Sequence, residues 1–391
     1  MVRPLSDGPR QPHRLAARAD LASAHRVVVK IGSSSLTDAS GHLDAARVQV
    51  IADTASRMRA DGREVILVSS GAIAAALGPL GLAERPRDVA TQQAAASVGQ
   101  SLLASTWQGA FGAHGAITGQ VLLTESDVIR SETYRNVRTA LEALLARDVV
   151  PVVNENDTTA THEIRFGDND RLAALVAQLL GADLLVLLTD VDALYTKPPK
   201  DPGAERIGVV EDVDTLEGVS VGSVGSKVGT GGMVTKLAAA QHAASTGTAT
   251  LLTSAARFGD ALAEVVPGEE DAAVGTFFPA RHGRRRSRQV WLRFATRGAG
   301  TITIDDGAAQ ALAHGGRSLL AVGVTAVAGT FPPGVPVDVA GPDGAVIARG
   351  LVGYGSEELR SMVGRTTREL ARDLGERFRR PVVHRDDMVV L

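Results

Sequence analysis

The sequence has no cysteine, only 3% aromatic residues and almost no net charge. The absence of cysteine excludes disulfides, thiolate catalysis and cysteine-ligated zinc, and it fits the reducing cytoplasm in which we expect the protein. The formal charge of -3, from 41 Lys and Arg against 44 Asp and Glu, argues against attraction of the whole protein to nucleic acid or an anionic membrane. Scarce aromatic residues also disfavour base stacking on single-stranded nucleic acid. No uncharged apolar stretch approaches the ~18 residues that a membrane-spanning helix needs.

The 391 residues suffice for one large and one smaller domain, since a domain averages about 150 residues. From residue 26 to about 265, short β-branched apolar runs alternate with longer helical patterns, which indicates an α/β domain. Nearly continuous apolar runs are typical of parallel strands that are covered on both faces. We therefore predict a three-layer αβα sandwich with an open, mainly parallel sheet. The predicted strands are Arg26–Ile31, Glu64–Ser69, Val149–Val153 and Leu184–Leu188, and a helix is predicted over Val48–Met58.

The pattern changes after Pro267, so the large domain is assigned to residues 25–267. An arginine-rich, Gly-containing stretch predicts a linker over 268–289. From residue 290 to 391, short strands separated by Gly and Pro predict a small β-barrel, with a helical tail from Ser356 to Arg379. Residues 1–24 contain four arginines and no continuous apolar segment, which predicts a flexible N-terminal extension and not a secretory signal.

Small residues follow the first two predicted strands. Lys30 is followed by Gly32 and Ser33, where backbone N–H groups can approach an anion closely beside a positive charge. This arrangement suits phosphate, although an ordinary strand-to-helix turn explains the segment equally well. Ser70 and Gly71 could present hydroxyl and N–H donors to a carboxylate, but Ser-Gly turns are common.

Amide and carboxylate side chains follow the next strand and open the next helix. The segments Asn154–Asp157 and Gly167–Asp170 could grip an amino group and anchor charged side chains near phosphates. Helix capping would explain Asp168 or Asn169. It does not explain why polar groups recur in both segments, so a functional role is favoured.

Two later segments are suited to a nucleotide. Thr189 and Asp190 at the tip of a central strand can contact one, or can cap the next turn. In Gly229–Lys236 a glycine-rich loop opens a helix, whose N-terminus offers free donors and whose Lys236 adds a second cation. Two lysines, two small-residue loops and an Asp-rich loop together indicate phosphoryl transfer, which mainly requires positioning and charge neutralisation.

These segments, in this order, resemble the glutamate 5-kinases of the amino acid kinase family, and the C-terminal segment resembles their PUA domain. The resemblance spans residues 26–391 and rests on Val-Asn-Glu-Asn-Asp, Gly-Asp-Asn-Asp, Leu-Thr-Asp and Gly-Thr-Gly-Gly-Met-x-Thr-Lys. It implies the amino acid kinase fold. It also implies phosphorylation of the γ-carboxylate of L-glutamate by ATP, with Mg²⁺, to give γ-glutamyl phosphate in the first step of proline biosynthesis.

The same resemblance implies roles for individual residues. The catalytic residues would be Lys30, Lys236 and Asp170, with Asp170 orienting the two lysines. ATP would contact Lys30, Gly32, Ser33, Thr189, Asp190, Thr230, Gly231, Gly232, Met233, Val234, Thr235 and Lys236. Glutamate would contact Ser70, Gly71, Asp157 and Asn169. The sequence does not name the Mg²⁺ ligands.

The resemblance further implies inhibition by proline, self-association into a dimer or tetramer, and a γ-glutamyl phosphate reductase as a possible partner. Two alternatives stay open. One is another carboxylate or nucleotide kinase of the family. The other is a protein that binds or modifies RNA through its C-terminal domain, supported electrostatically only by residues 281–297. A solvated interdomain face explains that stretch better, so RNA is not expected as a partner.

Overall fold

The apolar runs of the large domain form a seven-stranded sheet in the computed structural model. The structure describes residues 10–124, 127–128, 131–159, 169–213, 216, 232–263, 274–281, 292, 298–315 and 317–391. In this part of the large domain the strands are β1 (Arg26–Ile31), β2 (Glu64–Ser69), β3 (Thr118–Leu123), β4 (Val150–Glu155), β5 (Leu184–Thr189), β6 (Leu194–Tyr195), β7 (Arg206–Ile207), β8 (Ala249–Ser254) and β9 (Thr276–Phe278). β6 and β7 pair only with each other.

Helices connect these strands. They are α1 (Ser33–Leu36), α2 (Ala45–Ala60), α3 (Ala72–Leu77), α4 (Val89–Gly112), α5 (Ser131–Leu145), α6 (Asn169–Leu180), α7 (Met233–Ser245) and α8 (Phe258–Ala261). Side chains cap the two long helices: Asp44 accepts from the first turn of α2, and Asp88 does so for α4. Among the described residues no helix is long and apolar enough to cross a bilayer.

The sheet order is β3-β4-β2-β1-β5-β8-β9, and every pairing is parallel except that of β8 with β9. The predicted α/β sheet is therefore confirmed, with β1 and β2 at the predicted bounds. Successive side chains of a strand point to opposite faces. Val27, Val29 and Ile31 join the core formed with α2 and α4, so Lys30 faces the other side, where α6 packs on β1. This alternation brings Lys30 to the N-terminus of α6.

Residues 10–24 pack on the large domain. The Arg10 guanidinium forms two hydrogen bonds, of 2.8 and 2.9 Å, with the carboxylate of Asp183, which precedes β5. Leu15 and Leu21 are buried in the core, and Arg18 donates to three backbone carbonyls, those of Ala261, Val274 and Gly275. Because of these contacts, residues 10–24 do not form the flexible extension that the sequence predicts. Residues 1–9 lie outside the described part.

Of the predicted linker over residues 268–289 the structure describes only 274–281, and this part does not form a linker. Thr276–Phe278 form the edge strand β9, and their side chains are buried against β8. The chain divides into two compact units, residues 1–283 and 284–391. A three-residue strand is too short for its alternation to be recognised in the sequence.

The second unit contains a five-stranded sheet in the order β11-β10-β12-β13-β14. Its strands are β10 (Thr301–Ile304), β11 (Val324–Ala328), β12 (Pro336–Ala340), β13 (Val346–Val352) and β14 (Val383–Val390), and its helices are α9 (Asp306–Gly315), α10 (Ser356–Met362) and α11 (Thr367–Leu374). The predicted helical segment Ser356–Arg379 is helical in the structure, but it does not end the chain. Two short helices and a 3₁₀ turn lead into β14, which pairs with β13.

Candidate active site

The polar segments chosen from the sequence follow neighbouring parallel strands. In the pairing register Lys30 of β1 lies beside Val68 of β2 and Leu187 of β5. The carboxyl ends of parallel strands share one edge of the sheet, where open α/β sheets bind ligands. Ser70, Asn154 and Thr189 therefore lie near Lys30 at that edge.

Asp170 joins the two lysines that the sequence separates by 206 positions. Nζ of Lys30 lies 2.5 Å from Oδ1 of Asp170, and Nζ of Lys236 lies 3.2 Å from Oδ2 of the same carboxylate. All three side chains are buried, and Asp170 has no exposed surface. Taking charges out of water is unfavourable unless they are paired. Two cations on one carboxylate leave a net positive charge, which suits an anionic ligand.

The backbone around these lysines leaves room for an anion. A Cβ atom on Gly32 would lie 3.6 Å from Nζ of Lys30, so the glycine leaves the space beside the ammonium group open. Gly232 directly precedes α7, a helix of 13 residues. The free N–H groups of its first turn lie next to Lys236. Phosphate oxygens fit this combination of an open backbone, a helix N-terminus and two cations.

The loop at α7 is tied to Asp170 by a third side chain. The Thr235 hydroxyl lies 2.9 Å from Oδ2 of Asp170 and 2.7 Å from the carbonyl oxygen of Gly232, and it can donate to one of them at a time. Val234, by contrast, is 64% exposed. Ser33 opens α1 directly after Gly32. Thr189 is buried and donates to the exposed Asp190 at 2.9 Å.

The predicted glutamate contacts meet at the end of β2. Nδ2 of Asn169 donates to Oγ of Ser70 at 2.8 Å. Ser69 accepts a hydrogen bond from Nε1 of the fully buried Trp107 at 2.9 Å, which fixes the strand end. Gly71 has φ of 106°, a left-handed conformation that favours glycine and turns the chain sharply into α3.

Some predicted site residues are not placed. Thr230, Gly231, Gly167 and Asp168 lie outside the described residues. Asp157 is described and half-buried, three residues after Asn154. Among the residues that the structure does describe, no group of three His, Asp or Glu side chains could hold a metal ion.

Sequence reasoning assigned no role to Gln100, although it contacts this site. Oε1 of Gln100 on α4 accepts from Nδ2 of Asn154 at 2.8 Å. Asn154 in turn accepts from Asn169 at 2.9 Å. The only feature of the sequence that could have indicated this role is that the amide of Gln100 lies in a helix, Val89–Gly112, that has no charged residue.

The chain is similar to known proteins over most of its length. A sequence model described as the amino acid kinase family matches residues 25–254, and one described as the PUA domain matches residues 300–374. A protein of Thermobifida fusca named glutamate 5-kinase is 53% identical over 376 residues, which are 96% of this chain and 95% of that protein. Two further proteins named glutamate 5-kinase each match 96% of this chain. The one of Streptomyces coelicolor is 51% identical, with 99% of its length covered, and the one of Salinispora arenicola is 53% identical, with 100% of its length covered.

Proposed function

The chain belongs to the amino acid kinase family, and we propose that it phosphorylates the γ-carboxylate of L-glutamate with ATP. The observation that carries this proposal is the pair of buried ammonium groups, those of Lys30 and Lys236, on the single carboxylate of Asp170. The curated relatives named glutamate 5-kinase support glutamate as the acceptor. Their match over nearly the whole chain does not favour a different kinase or an RNA-modifying protein.

The reaction needs a positioned nucleophile and neutralised charge. A γ-carboxylate oxygen of glutamate attacks the γ-phosphorus of ATP, the bond from that phosphorus to the β,γ-bridging oxygen breaks, and ADP leaves. The nucleophile needs no general base, because an ordinary glutamate side chain with a pKa of about 4.3 is ionised at neutral pH. Lys30 and Lys236 stabilise the negative charge on the transferring phosphoryl group and on the leaving oxygen. Asp170 holds both ammonium groups in place.

The two substrates occupy neighbouring parts of the strand edge. ATP phosphates bind at Lys30, Gly32 and Ser33 and at the loop and helix start Thr230–Lys236, while Thr189 and Asp190 contact the nucleotide. Glutamate binds at Ser70, Gly71, Asp157 and Asn169. The hydrogen bond of Asn169 to Ser70 supports this division, because it joins two of the proposed glutamate contacts. Asn169 also directly precedes Asp170, so these contacts adjoin the carboxylate that holds the two lysines. The γ-carboxylate then faces the lysines.

Mg²⁺ accompanies ATP in this proposal. It commonly keeps several waters and binds mainly phosphate oxygens, so one or two protein carboxylates suffice. Asp190, which is exposed directly after β5, is a described carboxylate that could hold it directly or through water. The ion would supply further neutralisation of the phosphate charge.

Further parts of the proposal rest on the family resemblance. The chain acts in the cytoplasm in proline biosynthesis, is inhibited by proline and self-associates as a dimer or tetramer. Its acyl phosphate product is labile, so a γ-glutamyl phosphate reductase is the natural consumer.

Trapping the product with hydroxylamine tests the proposed reaction. ATP, Mg²⁺, glutamate and the full chain should yield γ-glutamyl hydroxamate together with ADP. Parallel reactions with N-acetylglutamate, aspartate and UMP, followed by ADP release, test the other acceptors of the family. ADP release with one of these but not with glutamate would reject glutamate as the substrate.

A further inference from the structure

Three side-chain amides form a buried chain behind the glutamate end of the candidate site. Nδ2 of Asn154 donates to Oε1 of Gln100 at 2.8 Å, and Nδ2 of Asn169 donates to Oδ1 of Asn154 at 2.9 Å. Gln100 and Asn169 are each 8% exposed and Asn154 is 2% exposed. Neither Gln100 nor Asn154 takes part in the phosphoryl transfer described above, so the reaction does not explain why these buried amides are present.

A backbone group fixes the direction of every amide in this chain. The N–H of Glu155 lies 2.9 Å from Oδ1 of Asn154, and a backbone N–H can only donate. The oxygen of Asn154 must therefore face Glu155, and its Nδ2 must face Gln100. Gln100 consequently presents its oxygen to Asn154, and Asn169 presents its Nδ2 to the Asn154 oxygen.

The row of three amides leaves the carbonyl oxygen of Asn169 as a hydrogen-bond acceptor with no donor. Within the described part of the protein, Oδ1 of Asn169 is buried without a hydrogen-bond partner, and so is Nε2 of Gln100. A buried polar atom without a hydrogen-bond partner destabilises the folded protein. Apolar residues would pack these positions without that cost. The network therefore fits a site that completes its hydrogen bonds when a ligand binds.

We infer that Gln100 and Asn154 are positioning residues that hold Oδ1 of Asn169 as an acceptor for the α-ammonium group of the substrate. This inference rests on the proposed function, because it takes Asn169 as a glutamate contact. An ammonium group has three donors and no acceptor, so it pairs only with an amide whose oxygen faces it. A flipped Asn169 would present its own NH₂ group and repel the ligand. A dicarboxylate without an amino group gains nothing from this orientation.

The docking of α4 does not depend on Gln100. Gly99 packs directly on the backbone of Ala72 in α3, so close that a side chain would clash with the carbonyl oxygen. Trp107 and Leu103 are fully buried in the core. Substitution of Gln100 should therefore change the ligand preference more than the stability of the fold.

The test compares glutamate with glutarate, which lacks only the amino group. Binding of each to the full chain is measured by calorimetry, which does not require turnover. In Gln100→Met the preference for glutamate over glutarate should fall about tenfold, the scale of one hydrogen bond to a charged group, while glutarate affinity changes little. Gln100→Glu keeps an oxygen toward Asn154 and should retain most of the preference. If Gln100→Met does not fold, Gln100→Ala removes the same acceptor.

Gln108→Met is the matched control on the same helix. Gln108 accepts from the backbone and hydroxyl of Thr118, away from the amide chain, so its loss should leave the preference unchanged. An equal loss of affinity for both ligands in Gln100→Met, or no loss, would overturn the inference. A wild-type chain that prefers glutamate but forms no hydroxamate would reject the proposed reaction alone. One that binds both ligands equally, or binds neither, would reject the positioning role.

Discussion

The ammonium groups of Lys30 and Lys236 bind opposite oxygens of one buried carboxylate, at 2.5 and 3.2 Å from Asp170. Lys30 comes from the sheet and Lys236 from the N-terminal turn of α7. The carboxylate thus sets the separation of two charges from different parts of the fold. Their position at the carboxyl ends of the strands is the geometric basis of the proposed chemistry.

Replacing either lysine with methionine should reduce kcat by about 10²–10³, the usual cost of losing one electrostatic contact to a transition state. The KM for ATP should change much less, because charge develops most strongly in the transition state. Steady-state kinetics of Lys30→Met and Lys236→Met measure both constants. Lys200→Met, at an exposed lysine, is the matched control. Wild-type turnover in either site variant would remove that lysine from catalysis.

Asp170→Asn should destabilise the fold as well as slow the reaction. It removes the negative charge from between two buried cations, and breaking a buried ion pair from one side costs about 3–5 kcal/mol. Urea unfolding measures the loss, with Asp201→Asn in an exposed turn as the control. ATP should restore more stability to Asp170→Asn than to the wild type, because its phosphates replace the missing charge. Equal stabilisation by ATP would speak against contact between the lysines and the phosphates.

Asp157→Ala should raise the KM for glutamate about tenfold or more and leave the KM for ATP nearly unchanged, since one hydrogen bond to a charged group contributes about 1.5–3 kcal/mol. Initial rates at varied glutamate and fixed ATP give the answer, and Asp201→Ala serves as the control. An unchanged KM for glutamate would contradict a substrate contact at Asp157.

The buried His242 should make the fold less stable in mild acid. Burial, followed by the nearby Arg171, lowers the pKa of His242 to about 3 from 6.5 in the unfolded chain. Its Nε2 lies 2.7 Å from Oε1 of Gln178, so the neutral ring donates there. Between about pH 6.5 and pH 3 only the unfolded chain takes up this proton, and stability falls as the pH falls.

His242→Gln removes that proton uptake. From pH 7 to pH 5 the variant should lose about 2 kcal/mol less unfolding free energy than the wild type. Urea unfolding at the two pH values measures the difference. Parallel losses in both proteins would show that His242 does not control this acid sensitivity.

Asp183→Asn should loosen the N-terminal segment. Asp183 accepts from Arg10 and from the backbone N–H groups of His13, His25 and Arg26. Burial alone raises its pKa, but Arg10 and the backbone donors together lower it below 3.8. The pairing therefore stabilises the fold above about pH 4 and is lost as the pH falls through the lowered pKa.

The variant should lose roughly 3 kcal/mol of unfolding free energy at pH 7, where the wild-type carboxylate is charged. Residues 10–24 should also exchange their amide hydrogens faster. Asp148→Asn changes an aspartate whose side chain is 90% exposed and is the control. Unchanged exchange in residues 10–24 would contradict the anchoring role of Asp183.

The sequence predicts the strands and the convergence of the lysines because both follow from local patterns. Arg26–Ile31 and Glu64–Ser69 have the predicted bounds, since each contains a short apolar, mostly β-branched run before small polar residues. Lys30 and Asp170 each stand at the end of a recognisable element. Parallel topology then places those ends at one edge of the sheet.

The remaining features depend on distant partners. Arg10 is 173 positions from Asp183, and Leu15 is an isolated apolar residue among arginines, so nothing local indicates that residues 10–24 are buried. Gln100 lies in a helix with no motif, and its role depends on an amide 54 positions away. The sequence therefore shows the phosphate end of the site better than the residues that orient the amino acid.

A structure of the full chain with glutamate and a non-hydrolysable ATP analogue tests the central claim most directly. The account predicts that Nζ of Lys30 and Nζ of Lys236 both lie within about 3 Å of oxygen atoms of the same triphosphate. A triphosphate bound elsewhere, or one that touches neither ammonium group, would contradict it.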